Sequence, residues 1–165
     1  MKYCILMLLA VLLLPAQAKA AACYPPLEQE AEQLVRLHSQ LMVITLSCRT
    51  TSDGTPLPPA YQKFTKTYLQ NIKDAERALI NWHRKNNGGN GISRLDRLRT
   101  EFSNEYSRTL ALLTPARYCE AYRNYVAQAA NFDRLELGRT LLAMRDDYRG
   151  RIPPCQPIRQ ASAAK

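Results

Sequence analysis

Residues 115–150 read PARYCEAYRNYVAQAANFDRLELGRTLLAMRDDYRG, and how this stretch folds decides the architecture of the chain. Cys119, Tyr122, Val126, Ala130, Asp133, Leu137, Leu141, Met144 and Tyr148 recur every three or four residues, the spacing of one helix face. No Gly or Pro lies between Pro115 and Gly138. Against one unbroken helix stands Asp133, which with Glu136 forms a capping pattern flanked by Phe132 and Leu137 as a hydrophobic staple, the signature of a new helix. The stripe favours a single helix from Pro115 to Gly150, kinked or split near Asp133, with Pro153-Pro154 beyond its end.

Helical periodicity also governs the rest of the chain. Leu27, Ala31, Leu34, Val35, His38, Leu41, Met42 and Thr45 share one face of a first helix spanning Leu27 to Cys48, with Pro25-Pro26 just before it, where a missing N–H does no harm. Arg49 to Pro58, rich in proline and carrying Asp53-Gly54, reads as a loop. Tyr61, Phe64, Tyr68, Ile72, Ala75, Leu79 and Trp82 mark a second helix from Pro59 to about Lys85, closed by the Asn- and Gly-rich run 86–91. Ser93 with Asp96 resembles a capping box opening a third helix that buries Leu95, Leu98, Phe102, Tyr106 and Leu110. Thr114 is placed as the cap of the fourth, with Pro115 in its first turn. The expected fold is therefore all-α: an up-down bundle of four helices with two disulfides.

The N-terminus sets the compartment. Met1-Lys2-Tyr3, the apolar run Cys4 to Leu14 and the small residues up to Ala20 have the form of a secretory signal peptide over 1–20. That run is too short for the ~20 residues of a membrane-spanning helix. Residues 21–155 then form one domain and 156–165 a disordered tail. Four cysteines remain, an even number in an oxidising compartment. Cys23 and Cys48 flank a first helix whose ends lie about 33 Å apart at ~1.5 Å per residue, too far for the ~7 Å a disulfide allows. An up-down bundle brings Cys48 to Cys119, and an unbroken fourth helix carries Cys155 to Cys23. If the chain instead reverses at Asp133, Cys155 returns towards Cys119 and Cys23 is left alone. Cys23 after Ala20-Ala21-Ala22 also forms a poor lipobox, a second reading in which that cysteine carries lipid.

The full chain has 23 Lys and Arg against 14 Asp and Glu, a net +9. Loss of residues 1–20 removes Lys2 and Lys19 and no acid, leaving +7. The charge is polarised: Cys23 to Ser52 holds three acids and two cations, Gly91 to Lys165 thirteen cations and eight acids. Most of the cations are arginines, which suit two-point recognition of carboxylate or phosphate. An acidic protein, an acidic glycan or an anionic membrane surface is the expected partner class; nucleic acid is not, since no recognition motif occurs. The plainer reading of these cations is a solvated, locally paired helix surface. Nothing in the pattern fixes an oligomeric state.

Tyr118, Tyr122 and Tyr125, with Arg117 and Arg123, form an aromatic and basic band on the fourth helix, a candidate ligand-binding face. The same tyrosine spacing also describes the half-buried edge of a core. His38, on the apolar stripe of the first helix, lies at the height of Glu105 in the bundle, so a His and carboxylate pair inside the bundle is the candidate catalytic or carrier site. A core histidine satisfied by a neighbour is the alternative. His83 is placed at the surface in the last turn of the second helix. No zinc-enzyme, c-haem, nucleotide-loop or hydrolase motif occurs, so neither a metal nor a cofactor is expected.

With the export signal, Leu46-Ser47-Cys48, Asn104-Glu105 and Tyr118-Cys119 in view, the chain resembles small exported proteins of Gram-negative bacteria over roughly Leu34 to Tyr122. The resemblance implies a periplasmic address and no activity. The expected function is non-enzymatic binding of an acidic envelope component or protein partner, with a small enzyme or carrier centred on His38 and Glu105 as the runner-up.

Overall fold

The computed structural model describes residues 22–147 and 152–155. The expected signal peptide, the tail over 156–165 and the expected helix end at Gly150 lie outside them. The described residues form six helices: α1 Pro26–Cys48, α2 Leu57–Thr67, α3 Leu69–Asn87, α4 Gly91–Leu113, α5 Pro115–Ala129 and α6 Arg134–Asp147. They contain no strand, only isolated bridges joining Tyr24 to Pro154 and Thr50 to Pro56.

Six helices replace the expected four because two of the long stretches break. The second breaks at Tyr68, whose φ of −105° and ψ of 18° leave the helical region. The amides of Tyr68 and Ile72 still bond the carbonyls of Phe64 and Tyr68 at 3.0 and 2.9 Å, so α3 follows α2 with a single residue between them. The fourth stretch breaks at Asp133 through the reciprocal cap its sequence announces. The Asp133 amide donates to Glu136 Oε2 at 2.9 Å, and the Glu136 amide donates to Asp133 Oδ1 at 2.8 Å. Tyr68 Oη donates to the Phe132 carbonyl at 2.7 Å, so one break is tied to the other.

Two caps also differ from expectation. Asn90, not Ser93, caps α4, its Oδ1 accepting from the amides of Ile92 and Ser93. Gly91 then opens the helix with the chain so close that a Cβ there would press on the Ile80 carbonyl oxygen, which fixes how tightly α4 starts against α3. Thr114 precedes α5 at φ 67° and its side chain makes no capping bond.

Helix α1 packs against each of the other five. It is the axial helix, and Leu37, Leu41 and Ile44 on it are fully buried. Burying one such side chain is worth about 1.5–3 kcal/mol relative to leaving it exposed. Phe64, Leu79, Phe102, Tyr118, Val126 and Leu141 close around it from the surrounding helices. An axial helix has little solvent-facing surface, so its polar residues are drawn inward too: Glu32, Gln33, Ser39 and Thr45 are buried. Ser39 and Thr45 are satisfied by the carbonyls one turn back, at 2.9 and 2.7 Å.

Both expected disulfides form. Cys48 at the end of α1 joins Cys119 in the first turns of α5, and Cys23 before α1 joins Cys155 beyond α6, with Cα separations of 5.3 and 4.8 Å. The break at Asp133 therefore does not return the chain towards Cys119, and the Cys23 sulfur is bonded to Cys155 rather than available for lipid. Around the second bridge the chain ends pair as well: the Tyr24 amide donates to the Pro153 carbonyl and the Cys155 amide to the Tyr24 carbonyl, both at 2.8 Å. Two disulfides suit an oxidising compartment. No described helix is long and apolar enough to cross a membrane.

Candidate functional site

The aromatic and basic band does not assemble. Tyr118 is 1% exposed and belongs to the core; burial pushes its hydroxyl up to about 12. Tyr122 packs on it with ring centres 4.8 Å apart. Tyr125 is half-buried beside Phe132, and burial raises its hydroxyl as well. Arg123 turns its Nε back to the Cys119 carbonyl at 2.8 Å, while Arg117 is exposed. The tyrosine spacing thus records the inner edge of α5, and Arg117 alone keeps the outward position a ligand face requires.

His38 and Glu105 have different partners. His38 Nε2 hydrogen-bonds Tyr61 Oη at 2.8 Å, and the two rings lie nearly parallel, 5.6 Å between centres. Burial, then the Arg99 charge, lowers the imidazole pKa. Glu105 accepts from Arg36 Nη2 at 2.6 Å, and the Arg36 guanidinium sits 5.9 and 5.7 Å from the ring centres of Phe102 and Tyr106. Ile72 and Val126 are buried in the core. No His and carboxylate pair arises there. Tyr61 instead borders a cleft of about 660 Å³ with Met42, Leu46, Arg49 and Pro58 near the Cys48–Cys119 bridge.

A different group of titratable residues comes together at the Cys23–Cys155 end. The last turns of α3 supply His83 and Asn87; α1 supplies Glu32; α4 supplies Arg94, Arg97 and Glu101; the disulfide-joined ends supply Tyr24 and Ile152. Together they line a cleft of about 180 Å³. His83 is only 6% exposed, contrary to its expected surface place, because Tyr24 and Trp82 pack over it. Asn87 Nδ2 donates to His83 Nδ1 at 3.1 Å. That makes Nδ1 the acceptor, so Nε2 carries the proton and faces Tyr24 Oη at 3.3 Å. Burial, reinforced by the Arg94 charge, lowers the His83 pKa.

Glu32 is 5% exposed and lines this cleft. Desolvation pushes its pKa up to about 7 against the opposing pull of Arg36. Below about pH 7 the Glu32 carboxyl at the floor of the cleft is thus protonated, and the rim holds two exposed arginines, Arg94 and Arg97. Helical periodicity gave no sign of this site. The available signal was Glu32 itself, an acid one residue from the stripe of a helix flanked by disulfide cysteines.

Among the described residues no group of three or more His, Cys, Asp or Glu is placed to hold a metal ion. No protein-family description matches this chain, and no curated protein or solved structure is significantly similar to it.

Proposed function

We propose that this is an exported, periplasmic or secreted, non-enzymatic binding protein that engages an acidic envelope component or protein partner through arginines on the outer faces of α4 to α6. One observation carries the reading: Arg94, Arg97, Arg108, Arg117, Arg134 and Arg139 are all exposed on those helices. Several acids nearby are committed elsewhere. Glu105 is paired with Arg36, and Asp133 and Glu136 cap each other's backbone. Guanidinium groups left facing water can grip carboxylate or phosphate in two-point fashion, which strengthens and orients the contact.

The test uses retention of the full chain on phosphatidylglycerol vesicles and on an acidic glycan. Contacts between exposed charges are screened over about 10 Å at 0.1 M ionic strength, so retention is expected to fall steeply with salt. The Arg108→Ala/Arg117→Ala protein should elute at lower salt with an unchanged Tm, since both side chains are exposed. Retention that survives both the double change and high salt would remove the basis for this reading. The runner-up, a small enzyme or carrier using His38, then moves ahead at the cleft bordered by Tyr61.

A further inference from the structure

We propose that the cleft formed by Tyr24, Glu32, His83, Asn87, Arg94 and Arg97 is a binding site for a small hydroxylated carboxylic acid of the uronate kind. Its carboxylate would be held by the arginine rim and its hydroxyls by the buried floor. Size limits the occupant first: about 180 Å³ falls below the roughly 300–1,000 Å³ of sites for drug-sized ligands. Charge selects next. Arg94 and Arg97 stand at the mouth against one carboxylate, Glu101, so the opening favours an anion.

The floor then selects among anions. Glu32, 5% exposed, lines the cleft, and its carboxyl is an acidic group to which a ligand hydroxyl can bond at that depth. The edge of His83 bonded to Tyr24 and the Asn87 amide add donor and acceptor positions at the same depth. A bare inorganic anion can use the rim but leaves the floor unanswered.

Binding should also depend on pH. The groups lining the cleft with Glu32 are Tyr24 from the N-terminal segment, His83 from α3, and Arg94, Arg97 and Glu101 from α4; Arg36 acts on it from its own helix. Ionisation of Glu32 adds a negative charge beside the ligand carboxylate and opposes binding. Affinity is therefore expected to fall as pH rises past about 7, where Glu32 loses its proton.

The experiment titrates the oxidised full chain with sodium glucuronate and follows the His83 imidazole and neighbouring amides by NMR. The expected result is saturable binding, weakened about tenfold or more in Arg94→Gln/Arg97→Gln, whose exposed positions leave folding intact. It should be tighter below neutrality than above in the native protein and independent of pH in Glu32→Gln. Lys73→Gln, at an exposed position outside the cleft, should bind as the native chain does. Non-saturating shifts, or equal losses in the Lys73 and rim variants, overturn the site. Inorganic phosphate binding as tightly as glucuronate overturns the role of the floor. A uronate-ended oligosaccharide that binds where the free acid does not would keep the site and assign it to glycan ends. The cleft can fail this test while vesicle retention through Arg108 and Arg117 persists, so the two proposals are separable.

Discussion

Replacing Cys23 and Cys155 together by serine is expected to lower the unfolding free energy by about 5 kcal/mol in the chain-entropy account of cross-links. The bridge spans a sequence separation of 132, against 71 for Cys48–Cys119, which the same relation values at about 4 kcal/mol. The difference between those figures is small, so local consequences identify the bridge better than stability does. Cys23–Cys155 holds Tyr24 against Pro153 and Pro154, and Tyr24 in turn covers Trp82, whose ring centre lies 4.5 Å away, and His83. Loss of this bridge should therefore raise the His83 pKa towards that of a solvated imidazole as well as shift the denaturant midpoint. Loss of Cys48–Cys119 should shift the midpoint alone. Denaturation without reductant, combined with an NMR titration of His83, checks both; an unchanged midpoint would mean the ends are held without the bond.

The second large effect is expected at Glu32. Its pKa rises from 4.5 to about 7 on folding because the charged form is desolvated. A carboxyl with a raised folded-state pKa costs nothing below the unfolded value and progressively more as pH climbs to the folded one. The penalty should begin near 4.5 and be complete above about 7, reaching about 3 kcal/mol. Glu32→Gln removes the ionisation and keeps the shape. Its stability should exceed that of the native protein by up to that amount at about pH 8, with the gap closing at about pH 4. Chemical denaturation at the two pH values tests this. A gap of the same size at both would show that Glu32 ionises in the folded chain without cost.

The cysteines made the overall layout legible, because a straight helix between Cys23 and Cys48 left few pairings open. The Asp133/Glu136 cap was legible too, yet the stripe running through it argued for continuity. A hydrophobic stripe reports which face is inward, and a break that preserves that face, as at Tyr68 and Asp133, leaves the stripe unchanged. His83 was hidden for a different reason. Its cover comes from Tyr24, a residue 59 positions away, and helical periodicity is blind to contacts at that range. Tyr118, Tyr122 and Tyr125 fit a core edge and a ligand face equally well by spacing, and only the packing of α5 on α1 turned Tyr118 inward. Glu32 became unusual once α1 proved to be the axial helix, where burial desolvates its carboxyl.

The proposed function requires an acidic partner to meet the outer arginines of α4 to α6. The direct measurement is an amide chemical-shift map of the full chain with an acidic glycan at low salt. Shifts should concentrate around Arg94, Arg97, Arg108, Arg117, Arg134 and Arg139 and collapse as salt is added. Shifts centred instead on His38, Tyr61 and Met42, and persisting at high salt, would contradict it.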